Sequence, residues 1–466
     1  VVSTALIRAE LPPMLRIAIP VVLAELGWMA MGVVDTIMVG PLGPAAIAAA
    51  GVGTSLHMAF AIFGMGLLLG LDTLVSQAFG ARQIDECHRW LVHGVALALL
   101  LTPPLMLICW AMYVAVPALG FHPDVQDPLR AYYGVVIWSS PLLLLYAAFR
   151  RYLQGMHIVK PIMFALVSAN LVNAAANWVL IYGEFGFPSF GVAGAAWATL
   201  VARLYMSSVL FAAIVFYDRW RVADIPRLVG HIQRASFVRL LRLGFPAAST
   251  VTLEVGVFAS ATALAGKLDP ISAASHQISL NIAALAFMVP LGLSSAGAVR
   301  VGHAVGAKNP PRAAAAGWTA ILLAIIVTLA SAVAFVTIPR TLIGLFTTEE
   351  AVLVLGTSLL FVAAVFQVFD GLQIVTTGVL RGVADTRTPM LTNLTAHWLF
   401  GLPVGYTLCF VVGIGVIGLW VGLSTGLIIA GVVLLYVWHR RIRALQHQIE
   451  HREEPIVRER VPSLEL

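Results

Sequence analysis

Five carboxylates stand within or beside long apolar runs: Glu25, Asp35, Asp72, Glu254 and Asp370. A charged side chain at the centre of a bilayer costs roughly 3 kcal/mol or more. Each such group is therefore expected to be neutralised, to pair with a cation or to face a water-filled cavity. Arg203 is the one basic residue read at comparable depth. Five acids cannot all pair with one arginine, so some are expected to bind protons or a metal cation. That chemistry suits ion-driven transport across a membrane.

The elements that must hold these acids follow from hydropathy. Crossing a ~30 Å hydrocarbon core takes roughly 20 mainly apolar residues as a helix. Runs of that length fall near 14–39, 53–79, 90–116, 131–152, 161–183, 191–216, 241–266, 275–303, 313–337, 353–380, 389–410 and 415–438. Lipid offers backbone groups no partner, so these spans are expected to be helices. The 466 residues are 60% hydrophobic and 11% charged, with a mean hydropathy of +0.93. A soluble domain carries about 25% charge. This composition excludes a soluble enzyme, a disordered chain and a nucleic-acid binder. Cys87, Cys109 and Cys409 form no CxxC pair, which argues against a disulfide scaffold or a zinc module.

Of the 28 Lys and Arg residues, 24 lie in the N-terminal segment, the even-numbered loops and the C-terminal tail. The positive-inside rule then puts both termini in the cytoplasm. Basic residues spread over many loops form no single patch, so anionic lipid headgroups are the expected partners and nucleic acid is not. A multi-pass membrane location is expected.

The two halves repeat. Met14-Leu-Arg-Ile-Ala-Ile-Pro20 aligns with Leu240-Leu-Arg-Leu-Gly-Phe-Pro246, and Gly80-Ala81-Arg82 with Gly306-Ala307-Lys308. Leu153 and Gly155 align with Leu380 and Gly382, and Gly191–Gly194 with Gly415–Gly418. Six spans per half return the chain to its starting side, so the repeats are parallel and a site between them is expected. The expected organisation is an N-terminal lobe at 1–216, a linker at 217–240, a C-terminal lobe at 241–439 and a tail at 440–466. A short interfacial helix is read around Phe237, Val238, Leu240 and Leu241.

Val34-Asp-Thr-Ile-Met-Val-Gly40, Leu153-Gln-Gly155, Asn170-Leu-Val-Asn-Ala-Ala-Ala-Asn177 and Leu380-Arg-Gly-Val-Ala-Asp-Thr-Arg387 occur in order along the twelve spans. Together they resemble the multidrug and toxic compound extrusion (MATE) transporters, NorM-like bacterial branch, over about residues 10–440. The resemblance implies an all-helical membrane fold of two six-helix lobes around a central cavity. It implies efflux of organic, often cationic drugs or toxic metabolites in exchange for inward Na+ or H+, with no cofactor beyond that ion. A monomer is expected.

Site roles follow from the residues and the resemblance together. Glu254 lies midway along the seventh span, flanked by small Gly256, Ala259, Ser260 and Ala263. Asp370 is central in the tenth, beside Gly371 and near Gln373. The resemblance implies that these two acids hold the coupling cation, Na+ or a proton. It also implies a tyrosine one turn before Asp370, where this chain has Phe366, a candidate cavity residue. Asn173 and Asn177, at i and i+4, share a helical face that Asn170 joins. With Asp35 they resemble the family's N-terminal polar network, in which Asp35 is the titratable member. Pro20 is a candidate hinge, because proline removes an i to i−4 hydrogen bond. Glu25 points away from Asp35 by ~280° of helical rotation and is assigned to the cavity. Asp72 is expected to cap or pair near the headgroups. Gln277, Asn281 and Asn393 are read as interhelical hydrogen-bonding groups or substrate contacts. His57, His276 and His397 lack metal-ligand spacing, so no metal beyond Na+ is expected.

No Walker motif, dinucleotide fingerprint or zincin motif occurs, so the protein is read as a secondary transporter and not an enzyme. The alternative is a flippase for lipid-linked saccharides. An acidic cavity with Arg203 as its sole basic candidate disfavours such anionic substrates.

Overall fold

The computed structural model describes residues 3–217 and 232–457, and among these no strand occurs. Twelve long helical segments form where the twelve apolar runs are. They are α1 (Thr4–Leu42), α2 (Pro44–Gly80), α3 (Ile84–Leu119), α4 (Pro123–Gly155), α5 (Lys160–Tyr182) and α6 (Val192–Phe216). The second half holds α7 (Arg234–Ala265), α8 (Pro270–Gly306), α9 (Pro310–Thr337), α10 (Glu350–Gly382), α11 (Arg387–Val411) and α12 (Val416–Leu445). Each is long and apolar enough to cross a membrane.

Local sequence explains where several begin. Pro44, Pro123, Pro270 and Pro310 occupy first-turn positions, where a missing N–H costs nothing. Asp269 caps α8 by accepting from the Ser272 amide at 2.9 Å, and Asn309 caps α9 through the Arg312 amide at 3.1 Å. Hydrogen bonds from Ser272 hold the Asp269 carboxyl below the usual carboxylate range.

One sequence expectation changes here. Helix α7 starts at Arg234 and runs unbroken to Ala265, so Phe237–Leu241 form its first turns and not a separate interfacial helix. The rest of the expected linker, 218–231, and tail residues 458–466 lie outside the described residues. Helix α1 also continues through Pro20.

The halves meet near the ends of the helices that carry the basic loops, called the basic side below. Their contacts obey the sequence repeat. A Cβ added to Gly80 would lie 2.1 Å from the His303 carbonyl oxygen, and one added to Gly306 would lie 2.0 Å from that of Gln77. Gln77 and His303 are themselves repeat-related, so this is one contact made twice. Deeper in, Gly66 meets Ala248 and Gly292 meets Val22 in the same reciprocal way. His303 bonds the Gly155 carbonyl at 2.7 Å, and the Gln77 amide donates to its counterpart Gly382 at 3.0 Å. Small residues let helix backbones approach closely, which is how packing holds membrane helices together. The duplication read in the sequence is thus a pseudo-twofold interface that closes the basic side.

Candidate functional site

A cavity of about 230 Å³ lies between the halves, inward of that closure. Glu25 and Trp28 of α1, Met65 of α2 and Tyr146, Arg150 and Arg151 of α4 form one wall. Thr250 and Glu254 of α7, Ser294 of α8 and Thr377 and Arg381 of α10 form the other. Trp28 stacks on Tyr146 with ring centroids 6.0 Å apart, which gives the first wall a flat aromatic surface.

Glu25 lines the cavity as expected, but it is not free: Arg150 donates to its carboxylate and also to the Tyr146 hydroxyl at 3.4 Å. Asp72 is fully buried between Arg151 at 3.4 Å and Arg381 at 3.5 Å, one from each half. It pairs, and does so across the halves. The expectation that Arg203 is the sole basic candidate of the cavity therefore fails: Arg150, Arg151 and Arg381 line it, and Arg203 is not among its lining residues. Helices α4 and α10 run long enough that their terminal arginines turn inward. The cavity carries both signs of charge. Sequence reasoning missed Arg150, Arg151 and Arg381 because it assigned them to loops. The available signal was the one-turn spacing of Tyr146 and Arg150 within an apolar run.

Glu254 of the second wall and Asp370, outside the cavity lining, are 8% and 4% exposed. Neither forms an ion pair with a described residue. Asp370 lies within electrostatic reach of Glu254. The Gln373 amide donates to Glu254 at 3.4 Å and to Asn393 at 3.2 Å. Asp370 Oδ1, both polar atoms of Gln367, Gln373 Oε1 and the Thr376 and Thr377 hydroxyls are buried without a protein partner. Buried polar atoms are normally satisfied, and two buried carboxylates with no cation would each cost several kcal/mol. Of these, Glu254, Asp370, Gln373 and Asn393 stand together, and their oxygens could hold a proton or a hard monovalent cation. Near them, α11 widens into π-helical turns over Leu394–Gly401, an irregularity common at functional sites.

The N-terminal cluster is better satisfied. Asn177 donates to Asp35 at 2.7 Å and to Asn173 at 3.2 Å, and the Thr199 hydroxyl donates to Asp35 at 3.4 Å. Asn170 does not join them. Its amide donates to the Gly27 carbonyl at 2.9 Å and so ties α5 to α1. Arg203 donates to the Ser139 hydroxyl and lies within electrostatic reach of Asp35.

Three other candidates fall elsewhere. Phe366 is 1% exposed and packs between Phe258 and Trp420, with centroids 6.3 and 5.6 Å away. It belongs to the core of the second half and not to the cavity. Gln277 and Asn281 bond one another at 3.3 Å on an exposed face of α8, outside this cavity wall.

The family model MatE matches the chain twice, over residues 20–179 and 246–407, beginning at the repeat-related Pro20 and Pro246. The chain is 35% identical over 446 residues to "Probable multidrug resistance protein NorM" of Mesorhizobium japonicum, covering 94% of this chain and 95% of that protein. It is 32% identical over 445 residues to "Multidrug resistance protein NorM" of Photobacterium profundum, covering 95% and 97%. Among solved structures, a eukaryotic MATE transporter superposes with a TM-score of 0.83 at 23% identity, covering 95% of this chain and all of that one. An outward-facing MATE family transporter gives 0.83 at 22%, covering 94% and 98%. At those identities the structures speak to fold alone.

Proposed function

Because this chain belongs to the MATE family of transporters, we propose that it exports organic, often cationic compounds in exchange for inward Na+ or H+. The observation that carries this reading is the position of Glu254. Its carboxylate faces the cavity shared by the two halves, and it stands against Asp370 and Gln373 without a cationic partner. One group thus belongs to both the cavity between the halves and the proposed ion-binding cluster.

In the proposed cycle, cation or proton binding at Glu254 and Asp370 favours one arrangement of the halves and substrate binding favours the other. Reciprocity of binding free energies then couples the two fluxes. The closed basic side is taken as cytoplasmic, following the loop charges, so the arrangement described faces outward in a bacterial inner membrane. The second half carries the coupling: the Asp35 carboxylate already has Asn177 and Thr199 as donors, whereas Asp370 Oδ1 has none among the described residues. Asn173 and Asn177 support Asp35. Pro20, an unpaired point in the α1 ladder, is the proposed bend. No enzymatic step is invoked.

The flippase alternative loses its sequence-based objection, since Arg150, Arg151 and Arg381 reach the cavity. What stands against it is their engagement by Glu25 and Asp72, which leaves no cluster of free guanidinium groups for a pyrophosphate. The test is ethidium accumulation in an efflux-deficient host. Glu254→Gln and Asp370→Asn should each raise accumulation to the level of the empty host at normal expression. Unchanged efflux in both variants removes the proposed role.

A further inference from the structure

In the Asp385-Thr386-Arg387 motif between α10 and α11, Thr386 lines the central cavity, but Asp385 and Arg387 do not. The motif sits beside a second cavity, of about 410 Å³, on the basic side. Arg242 from α7, Arg387 from the start of α11 and Arg441 from the end of α12 converge on it. Asp385 is the one acid in the lining. Its charge is already engaged: Arg441 donates through Nε at 3.0 Å and Nη2 at 2.9 Å. Its remaining capacity goes to the Thr388 amide at 3.2 Å and hydroxyl at 3.0 Å. The Asp385–Arg441 pair cancels internally and is locked to the first turn of α11. Arg242 and Arg387 form no ion pair with a described residue. The cavity thus keeps two uncompensated guanidinium groups beside the Thr386 and Thr388 hydroxyls. Leu243, Val383 and Leu445 supply an apolar side.

We propose that this cavity binds the phosphate headgroup of an anionic glycerophospholipid, with Arg242 and Arg387 holding the phosphodiester. Charge selects the ligand, since the free groups are both positive. Geometry favours a lipid: the cavity lies among three membrane-crossing helices, at Arg242 two turns into α7, at Arg387 where α11 begins and at Arg441 of α12, and Leu243, Val383 and Leu445 give it an apolar side. Arginine presents a planar fork of donors matched to phosphate oxygens. Polybasic sites at a membrane face gain about a tenfold preference for anionic lipid from one or two such residues. The bound headgroup would bridge α7, α11 and α12. The inference is independent of the substrate and of the coupling ion.

The experiment uses the full chain in nanodiscs of phosphatidylcholine with a minority of phosphatidylglycerol, followed by native mass spectrometry and by titration with short-chain phosphatidylglycerol. The wild type should retain phosphatidylglycerol in preference to phosphatidylcholine. The double variant Arg242→Ala/Arg387→Ala should bind the short-chain lipid roughly tenfold more weakly. A control that removes two exposed basic-side charges elsewhere, Arg8→Ala/Lys160→Ala, should bind as wild type does. Equal loss in both double variants would mean diffuse charge attraction and would overturn the site. Competition by millimolar inorganic phosphate as strong as that by the lipid would make the occupant a free anion and would overturn the lipid assignment. Thermal melting of all three proteins separates loss of the site from loss of the fold.

Discussion

Glu10 of the first half and Arg300 of the second form a buried ion pair, bonded from Nε at 3.1 Å and Nη2 at 2.5 Å. Arg312 closes the other carboxylate oxygen at 2.7 Å. Glu10 is 3% and Arg300 8% exposed. The pair therefore exists only while the halves are together at the basic side. Removing one partner of a buried pair costs about 3–5 kcal/mol, because the other charge is left uncompensated. Glu10→Gln should shift the population toward separation at this side. Spin labels at the exposed positions Gln83 and Ala307 should report a longer, broader distance distribution than in the wild-type background. An unchanged distribution would show that the pair does not hold the closure.

The glycine contacts make a sharper version of the same expectation. At Gly80 and Gly306 a side chain would collide with backbone carbonyl oxygens, which cannot move aside as a flexible side chain can. Gly80→Val and Gly306→Val should each prevent closure and lower efflux at least tenfold, with membrane insertion intact. Repeat symmetry requires the two variants to behave alike. A phenotype in one alone would contradict the shared contact.

For Asp35 a milder outcome is expected. An amide at this position can still accept from Asn177, so Asp35→Asn should keep the hydrogen bond and most of the fold stability. Gradient-driven efflux should stay within about tenfold of wild type, whereas Glu254→Gln should abolish it. Measuring both in parallel, at matched expression, tests which half carries the coupling.

Phe366 provides a stability prediction. It fills a core space between Phe258 and Trp420. Phe366→Ala removes those contacts and should destabilise the protein by about 3–5 kcal/mol, read as a lower midpoint of thermal unfolding in detergent. A variant that melts as wild type does would place Phe366 outside the packed core.

The helices and their duplication were legible because they depend on local composition and on repeated motifs. Twelve apolar runs fixed twelve helices, and the aligned Gly80 and Gly306 proved to be one interface seen twice. The candidate site was legible as a set of buried acids and no further. Glu25 meets Arg150 across 125 residues, and Glu10 meets Arg300 across 290. No spacing rule reaches that far, so the partners stayed in the loop inventory. Helix rotation was also hidden: Asn170 shares a face with Asn173 and Asn177, yet its amide turns to the α1 backbone. The arginine-lined cavity needed Arg242, Arg387 and Arg441, from distant parts of the chain, to be brought together.

The central claim is that Glu254 and Asp370 join an inward cation flux to outward substrate flux. The most direct measurement is ethidium transport in proteoliposomes under an imposed Na+ gradient and, separately, an imposed pH gradient. The wild type should show gradient-driven ethidium flux with at least one of the two ions, and Glu254→Gln and Asp370→Asn should show none with either. Gradient-driven flux at the wild-type rate in both variants would contradict the account.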